Sequence, residues 1–342
     1  MKIDIAILSY NRPEQLRRVL ESCKDLSEEI FSIIVFDDCS PRINEIQQMF
    51  NSHFSNYSNF YINISEQNVG YDGNLLRSVC ESKADLVLLI SDDDYLDVID
   101  EGELITELSC LQTDVAFLPV RFDENLIIRE KITRNILYRT VKNQFISVKE
   151  LDTRGYNLYH FILFSGLMFK PSTVRQHERL LSTYFNSIYI QIAATMACLD
   201  RGATQLCGAN IVLGSDGENG FGFNSASSNE DSELQDRDSI HSDLKYQKRL
   251  FTVVERASRD FSKSKLLKSF KKEYVIRAVY RMLRVRENLS KKDFEEMGKY
   301  YPNLWSIRLA HNIIAYMPLG IVKLLFIFKR PLEVIRGTAQ GH

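Results

Sequence analysis

Short apolar runs alternate with segments of helical periodicity along the first third of the chain. Residues 3–8, 30–36 and 86–90 are rich in apolar side chains, as expected of buried strands, and residues 59–64 are similar. After Pro13 the apolar positions recur at helical spacing, at Leu16, Val19, Leu20 and Cys23. Strands that alternate with helices in this way predict a mostly parallel sheet flanked by helices, which is an α/β fold.

The pattern continues less regularly beyond this region. Residues 115–122, 161–169 and 205–213 predict three more strands, and residues 188–199 predict a buried helix. Residues 225–243 are polar and acidic and show no periodicity, so we predict that the α/β domain ends there.

Charge and composition divide the chain further. We predict an α/β domain over residues 1–224, an acidic linker or mobile loop over 225–244, a basic helical segment over 245–300 and an amphipathic C-terminus over 301–342. Residues 1–244 contain 21 Lys or Arg and 37 Asp or Glu, whereas residues 245–300 contain 17 and 7. A basic segment of this kind binds an anionic partner, either nucleic acid or an anionic membrane surface.

The last apolar segment, residues 313–328, favours the membrane. It contains Pro318 and Lys323 and is shorter than the roughly 20 apolar residues that a spanning helix needs. We therefore expect it to lie in the membrane interface, with a core helix of the C-terminal bundle as the alternative. Few aromatic residues alternate with the basic ones, so nucleic acid is not an expected partner.

The cysteine pattern predicts the compartment. The six cysteines form no CxxC pair and show no ligand spacing with histidine, which is typical of thiols in a reducing compartment. The first residues are strand-like and lack the basic and apolar regions of a secretory signal. We therefore expect a cytoplasmic protein that is peripherally associated with the inner face of the cell membrane.

Three consecutive carboxylates, Asp92, Asp93 and Asp94, follow the apolar run that ends at residue 91. A buried strand cannot keep adjacent anions in its interior, so they must emerge at its carboxyl end, where loops build sites in open α/β sheets. Polar clusters also follow the three earlier strands, at the same predicted edge. The three acids therefore predict a site for a divalent cation, with a solvated acidic turn as the alternative.

Four segments carry a resemblance to a known family. Residues 5–13, 35–40, 68–74 and 91–94 resemble, in this order and at similar spacing, segments of the family 2 glycosyltransferases. The resemblance implies the GT-A fold, which is Rossmann-like, here with a C-terminal helical extension. It also implies an inverting transfer of a sugar from a nucleotide-diphosphate donor to a hydroxyl, assisted by Mn²⁺ or Mg²⁺. Bacterial O-antigen or capsule assembly on a lipid-linked glycan is the implied setting.

The same resemblance implies which residues bind the nucleotide. They are Leu8, Ser9, Tyr10, Arg12, Asp38, Asn68, Gly70 and Asn74. The ring of Tyr10 would stack on the base, unless it is a structural aromatic residue at a strand end. Asp38 would accept a hydrogen bond from the base, and the imide N–H of uracil or thymine is a natural donor, so a UDP- or dTDP-sugar is favoured. The alternative for the acidic pair is that Asp37 caps the helix that starts near Pro41.

The acids at 92–94 correspond to the DXD region of the family, whose carboxylates hold the cation that bridges the diphosphate. Asp92, Asp93 and Asp94 are therefore the implied metal ligands, with Asp93 as the principal one. The glycine-rich residues 214–222 would close over the diphosphate and exclude water, or would form an ordinary surface loop.

The general base is where the chain departs from the family pattern. Inverting members place a carboxylate, often within Glu-Asp, just before the helix that follows the acceptor strand, but residues 184–189 contain no acid. Another group must then remove the proton of the attacking hydroxyl, or the alignment with the family is shifted at these residues, or the protein is inactive. The candidates, by proximity of segment alone, are Glu178, Asp216, Glu218 and His160. The alternative is a non-catalytic protein that binds sugar nucleotides or glycans on the same fold.

Overall fold

A computed structural model describes residues 1–122, 144–153, 158–214, 240–286, 294–295, 297–318 and 321–322. The chain divides into two compact units. The first comprises residues 1–235 and 253–266, and the second comprises residues 236–252 and 267–342.

The first unit is built from strands and helices in alternation. Its strands are β1 (Ile3–Ser9), β2 (Phe31–Asp37), β3 (Phe60–Ile64), β4 (Leu86–Ser91), β5 (Tyr95–Val98), β6 (Val115–Phe117), β7 (Val120–Phe122), β8 (Gln144–Ser147), β9 (Leu167–Phe169), β10 (Gly202–Gln205) and β11 (Ala209–Leu213). Its helices are α1 (Pro13–Cys23), α2 (Ile43–His53), α3 (Gly70–Cys80), α4 (Glu101–Ser109), α5 (Val148–Thr153), α6 (Pro171–Gln176), α7 (Glu178–Leu181) and α8 (Ile190–Cys198).

A central sheet of eight strands has the order β3-β2-β1-β4-β9-β6-β10-β8. β1 pairs in parallel with both β2 and β4, so that Leu8 lies level with Phe36 on one side and with Ser91 on the other. The carboxyl ends of these strands therefore meet at one edge of the sheet. β9 is antiparallel to its neighbours β4 and β6. This architecture confirms the predicted α/β, GT-A-like class.

β1 lies at the centre of the hydrophobic core. All of its residues are buried, which is expected of a strand covered by helices on both faces. Helix α1 buries one face in the same core, through Leu16, Val19, Leu20 and Cys23. Each large aliphatic side chain that is fully buried in this way stabilises the fold by about 1.5–3 kcal/mol.

Two of the predicted single strands are each two strands. Residues 115–122 divide into β6 and β7, which belong to different sheets, because Pro119 has no N–H to continue a ladder. Residues 205–213 divide between β10 and β11. There the N–H groups of Cys207 and Gly208 donate to the buried carboxylate of Glu107, over 2.8 and 3.0 Å, and this turns the chain.

Residues 161–169 form a strand only at their end, in β9. Their first residue closes a short 3-10 turn, Leu158–Phe161. β7 and β11 form a second, three-stranded sheet with β5, in the order β5-β11-β7. The predicted buried helix at 188–199 is α8.

The second unit is helical in its described part. Helices α9 (Ile240–Asp260) and α10 (Ser264–Arg286) each have residues in both units, and α11 (Trp305–Tyr316) lies wholly within the second. Within this unit the ring of Phe251 lies 5.0 Å from the ring of Tyr274.

The apolar C-terminal segment does not form one helix. The helix that includes Ile313 ends at Tyr316, two residues before Pro318. The predicted segment 313–328 thus contains a helix end, and its residues from 323 onward lie outside the described part of the chain. Across the described residues, we find no helix that is long and apolar enough to traverse a bilayer.

Candidate functional site

Hydrogen bonds join the loops that follow β1, β2 and β4. The backbone N–H of Tyr10 donates to Oδ2 of Asp92 over 3.0 Å, and the N–H of Asn11 donates to Oγ of Ser40 over 2.8 Å. The backbone at Asn11 has a φ of 60°, in the left-handed region that asparagine tolerates better than most residues. The loop after β1 is therefore held between the two neighbouring loops, and the predicted residues Leu8, Ser9, Tyr10 and Arg12 lie along it.

Asp38 binds the loop that leads into α3. Its Oδ1 accepts a hydrogen bond from the N–H of Val69 over 2.8 Å. Burial raises the pKa of Asp38, and the hydrogen bonds from Val69 and Gly70 oppose this rise. Oδ1 of Asn68 accepts from the N–H of Gly70 over 2.9 Å, and Gly70 has a φ of 73°, which glycine adopts without strain.

The side chain of Asn74 completes this corner, because its Nδ2 donates to the carbonyl of Phe36 over 2.8 Å. The structure thus brings Asp38, Asn68, Gly70 and Asn74 together beside the end of β2. This is the grouping that the resemblance implies for a nucleotide subsite.

Asp37 does not cap a helix. Its Oδ1 accepts a hydrogen bond from the N–H of Ser40 over 2.8 Å, and its Oδ2 accepts one from the hydroxyl of Ser40. Helix α2 begins later, at Ile43, and the residue at its N-cap, Arg42, provides no side-chain cap. Asp37 therefore fixes the tight turn that presents Asp38.

The three consecutive acids have different surroundings. Asp92 and Asp94 are buried, whereas the side chain of Asp93 is 31% exposed. Nη1 of Arg12 lies 3.3 Å from Oδ1 of Asp92 and 2.7 Å from Oδ2 of Asp93, so one guanidinium bridges both carboxylates. The pKa of Asp92 is raised to about 7, chiefly by burial; the positive charge of Arg12 opposes this rise and the negative charge of Asp93 contributes to it.

Asp94 turns toward other partners. It accepts hydrogen bonds from the hydroxyl of Ser165 and, over 3.3 Å, from the N–H of Gly214 at the end of β11. In the part of the chain that the structure describes, no group of three or more acidic, histidine or cysteine side chains converges as a complete metal site. The predicted set of three ligands therefore divides into the pair Asp92 and Asp93, which shares Arg12, and Asp94, which anchors Ser165 and Gly214.

Asp92 and Asp93 fit a divalent cation whose remaining ligands are substrate phosphates and water. Carboxylate oxygens are the hard ligands that Mg²⁺ and Mn²⁺ prefer, and such ions are commonly held by one or two carboxylates together with substrate phosphates and water. Two adjacent anions, one of them buried, are also unfavourable without a positive charge. Arg12 supplies that charge in this structure.

Among the candidate bases, only the side chain of Glu178 is in the described part of the structure, and it lies away from this edge. Glu178 begins α7 and lies near Cys80, at the end of α3 away from Gly70, which is about 15 Å along the helix. His160 lies in the 3-10 turn Leu158–Phe161, and its side chain is outside the described part of the structure. Asp216 and Glu218 are outside it as well, as are residues 215–222 of the glycine-rich segment.

The structure instead brings an acid to residues 184–189 from another part of the chain. Asp72, in the first turn of α3, accepts hydrogen bonds from the N–H of Ile188 over 2.9 Å and of Ile190 over 3.3 Å, and the hydroxyl of Ser187 donates to it over 3.4 Å. Because Ile190 is the first residue of α8, Asp72 caps that helix.

Ile188 has a φ of 60°, an uncommon backbone conformation for a β-branched residue. Asp72 holds it there. The carboxylate of Asp72 is buried, and burial raises its pKa to about 6 against the effect of these hydrogen bonds. Both carboxylate oxygens of Asp72 accept hydrogen bonds, so Asp72 orders residues 187–190. No local motif could reveal this role, because Asp72 and Ile188 are separated by 116 positions.

Comparisons with known proteins address the family and the fold of the chain. Residues 4–172 match the family described as Glycosyl transferase family 2. S. aureus TarS 1-349 in complex with UDP-GlcNAc has a similar fold, with a TM-score of 0.52 and 14% sequence identity, over 92% of this chain and 89% of that chain. No curated protein matches the sequence.

Two further solved structures give lower scores. S. aureus TarS 1-349 in complex with UDP has a TM-score of 0.47 at 12% identity, over 74% of this chain and 65% of that chain. GalNAc-T7 with UDP, GalNAc and Mn²⁺ has a TM-score of 0.48 at 9% identity, over 77% of this chain and 54% of that chain. The chain therefore contains a glycosyl transferase family 2 domain at residues 4–172 and is a glycosyltransferase.

Proposed function

We propose that this enzyme transfers a sugar from a UDP- or dTDP-sugar to a hydroxyl of a lipid-linked glycan at a membrane. The donor would lie across the edge where the loops after β1, β2 and β4 meet. The observation that carries the proposal is a series of hydrogen-bonded contacts from Asp37 through Ser40 and Asn11 to Tyr10 and Asp92. It supports a base subsite at Asp38, the neighbour of Asp37, close to the acids on the same edge.

The base is the part of the donor that Asp38 and Tyr10 would recognise. The turn fixed by Asp37 presents Asp38, and a carboxylate can accept the imide N–H of uracil or thymine. Cytosine has no such donor at that ring position. The ring of Tyr10 is only partly buried and so is available to stack on the base.

Asp92 and Asp93 would hold a divalent cation, with Asp93 as the principal ligand. Mn²⁺ and Mg²⁺ both suit these oxygens, and the cation would offset the negative charge of the leaving nucleoside diphosphate. When the cation neutralises Asp92 and Asp93, the guanidinium of Arg12 would contact the phosphates of the donor instead.

The proposed acceptor is a glycan that is linked to a membrane lipid. We propose, as the resemblance implies, that the transfer inverts the anomeric configuration and that the glycan is a bacterial surface polysaccharide such as O-antigen or capsule. The basic second unit supports a membrane-bound acceptor, because an anionic leaflet attracts each nearby Lys or Arg by about 1 kcal/mol. We propose peripheral association with the inner face of the membrane for this reason.

A donor screen tests the proposal. The melting temperature of the protein would be measured with UDP-, dTDP-, GDP- and CMP-sugars, each with Mn²⁺ and with EDTA, since a bound ligand stabilises the fold by mass action. We expect stabilisation by a UDP- or dTDP-sugar in Mn²⁺ only. Stabilisation by a GDP- or CMP-sugar alone would refute the assignment of the base subsite.

A further inference from the structure

We propose that the exposed apolar face of α11 binds the surface of an anionic lipid membrane. The face consists of Trp305, Leu309, Ile313 and Tyr316, which are 77%, 51%, 53% and 73% exposed. The inference deepens the proposed function, because it names the surface through which a membrane-bound acceptor would be reached.

The four residues lie on one side of the helix. They are spaced four, four and three positions apart, so at about 100° per residue they fall within an arc of roughly 80°. Arg308 is also exposed and borders this arc. An apolar stripe of this width with a basic border is typical of helices that lie in the plane of a membrane interface.

The opposite side of α11 is packed within its own unit. Ile307, Ile314 and Ala315 are buried there. His311 is buried too, with its Nε2 2.7 Å from the carbonyl of Phe294 and the two rings stacked at 4.7 Å. The helix therefore has a fixed orientation in the unit, and the apolar stripe is the side that this packing leaves outward.

Two properties indicate a membrane rather than a protein partner. The stripe begins with Trp305 and ends with Tyr316, and these are the residue types that concentrate at the level of lipid headgroups. The second unit is also strongly basic, since residues 236–252 and 267–342 contain 19 Lys or Arg and 9 Asp or Glu. That charge complements an anionic leaflet. A second copy of this chain would carry the same positive charge.

The chain contains a single tryptophan, and it lies on this face. The emission of Trp305 is therefore a direct probe of the proposed contact in the full-length protein. We expect a shift to shorter wavelength on addition of vesicles of phosphatidylglycerol and phosphatidylcholine, and quenching when the lipids carry bromine in their acyl chains. Vesicles of phosphatidylcholine alone should produce a much smaller change.

Two charge-matched variants separate the face from general electrostatic attraction. Leu309→Asp places an acid within the stripe, and Asn303→Asp places the same charge at an exposed position before the helix. We expect Leu309→Asp to weaken vesicle partition by roughly tenfold or more and Asn303→Asp to weaken it only slightly. Circular dichroism would confirm that both variants are folded.

Three results would overturn the proposal. The first is equal partition of the two variants. The second is emission at short wavelength before vesicles are added, which shifts with protein concentration, because a second copy would then cover the face. The third is such emission without concentration dependence, because the chain's own residues would then cover it. None of these measurements depends on sugar transfer. The membrane-binding proposal can therefore be refuted without refuting the proposed transferase function.

Discussion

The backbone N–H of Tyr10 donates to Oδ2 of Asp92 over 3.0 Å. This bond joins the segment that would contact the base to the acids that would hold the cation, although the two residues are 82 positions apart in the sequence. The paired register of β1 and β4 makes the contact possible, because it brings Leu8 level with Ser91. The proposed nucleotide and metal sites are therefore parts of one edge.

Removal of the Asp93 carboxylate should abolish metal-dependent transfer without unfolding the protein. The side chain is partly exposed and pairs with Arg12, so Asp93→Asn removes a ligand and leaves the core intact. Asp97→Asn is the matched control, because Asp97 is a partly exposed acid paired with Arg121. Release of nucleoside diphosphate in Mn²⁺ should fall at least a hundredfold in the first variant and stay near wild type in the second. Full turnover by Asp93→Asn would remove Asp93 from the metal site.

Arg12→Gln should make the protein more dependent on a cation. The substitution leaves the carboxylates of Asp92 and Asp93 without their shared positive charge, which should lower the free energy of unfolding by about 1–3 kcal/mol in EDTA. Mn²⁺ should then raise the melting temperature of this variant more than that of wild type. Arg42→Gln, which removes an exposed ion pair with Glu14, should change stability by at most about 1 kcal/mol and leave the Mn²⁺ response unchanged. An equal Mn²⁺ response in Arg12→Gln and wild type would count against a shared site.

Asp72 should give the fold a pH-dependent stability. Burial raises its folded pKa to about 6, above its ordinary value of 3.8, so the protonated form is favoured in the native state. This contribution is fully present below pH 3.8 and is lost as the pH rises through about 6, by up to roughly 3 kcal/mol.

Asp72→Asn should remove this dependence. The asparagine side chain replaces one acceptor oxygen by an NH₂ donor, and this donor would face a backbone N–H that has lost its acceptor. We expect this mismatch to destabilise the protein by about 1–3 kcal/mol. Urea denaturation at pH 4, 5, 6 and 7 would measure both effects. The same slope of stability against pH in variant and wild type would show that Asp72 does not titrate in this range.

Gly214 should be intolerant of a side chain. A Cβ at this position would lie 1.9 Å from the carbonyl oxygen of Asp93 and 2.1 Å from Nη2 of Arg18. Gly214→Ala must therefore displace the backbone of the acidic loop, and we expect a loss of both donor affinity and melting temperature. Gly102→Ala is the matched control, because Gly102 is exposed at the start of α4. Wild-type donor affinity in Gly214→Ala would show that the acidic loop need not hold this position.

The ends of β1, β2 and β4 could be predicted from the sequence because they follow from local rules. Apolar runs that end in polar clusters identify strands and their exits, and parallel strands bring those exits to one edge. The order of the sheet beyond β4 could not be predicted in this way. Pro119 divides the apolar run 115–122 between two sheets, and the buried carboxylate of Glu107 turns the chain within the run 205–213. Both effects depend on partners that are distant in the sequence.

The candidate site likewise has parts that follow from local rules and parts that depend on residues distant in the sequence. Tyr10, Asp38 and the acids at 92–94 could be anticipated, since each follows a strand. The separate orientation of Asp94 could not, because it depends on Ser165 and Gly214. No pattern in the sequence indicated the role of Asp72. That role consists of hydrogen bonds to backbone N–H groups of a distant segment, and backbone N–H groups leave no mark on the residue types of that segment.

Titration of UDP into the protein, by calorimetry in Mn²⁺ and again in EDTA, tests the central claim most directly. We expect UDP to bind in Mn²⁺, to lose at least tenfold in affinity in EDTA, and to lose a comparable amount in Asp93→Asn with Mn²⁺ present. UDP affinity that is the same in Mn²⁺, in EDTA and in Asp93→Asn would contradict the proposal that the acids after β4 and the loop after β1 form one nucleotide and metal site.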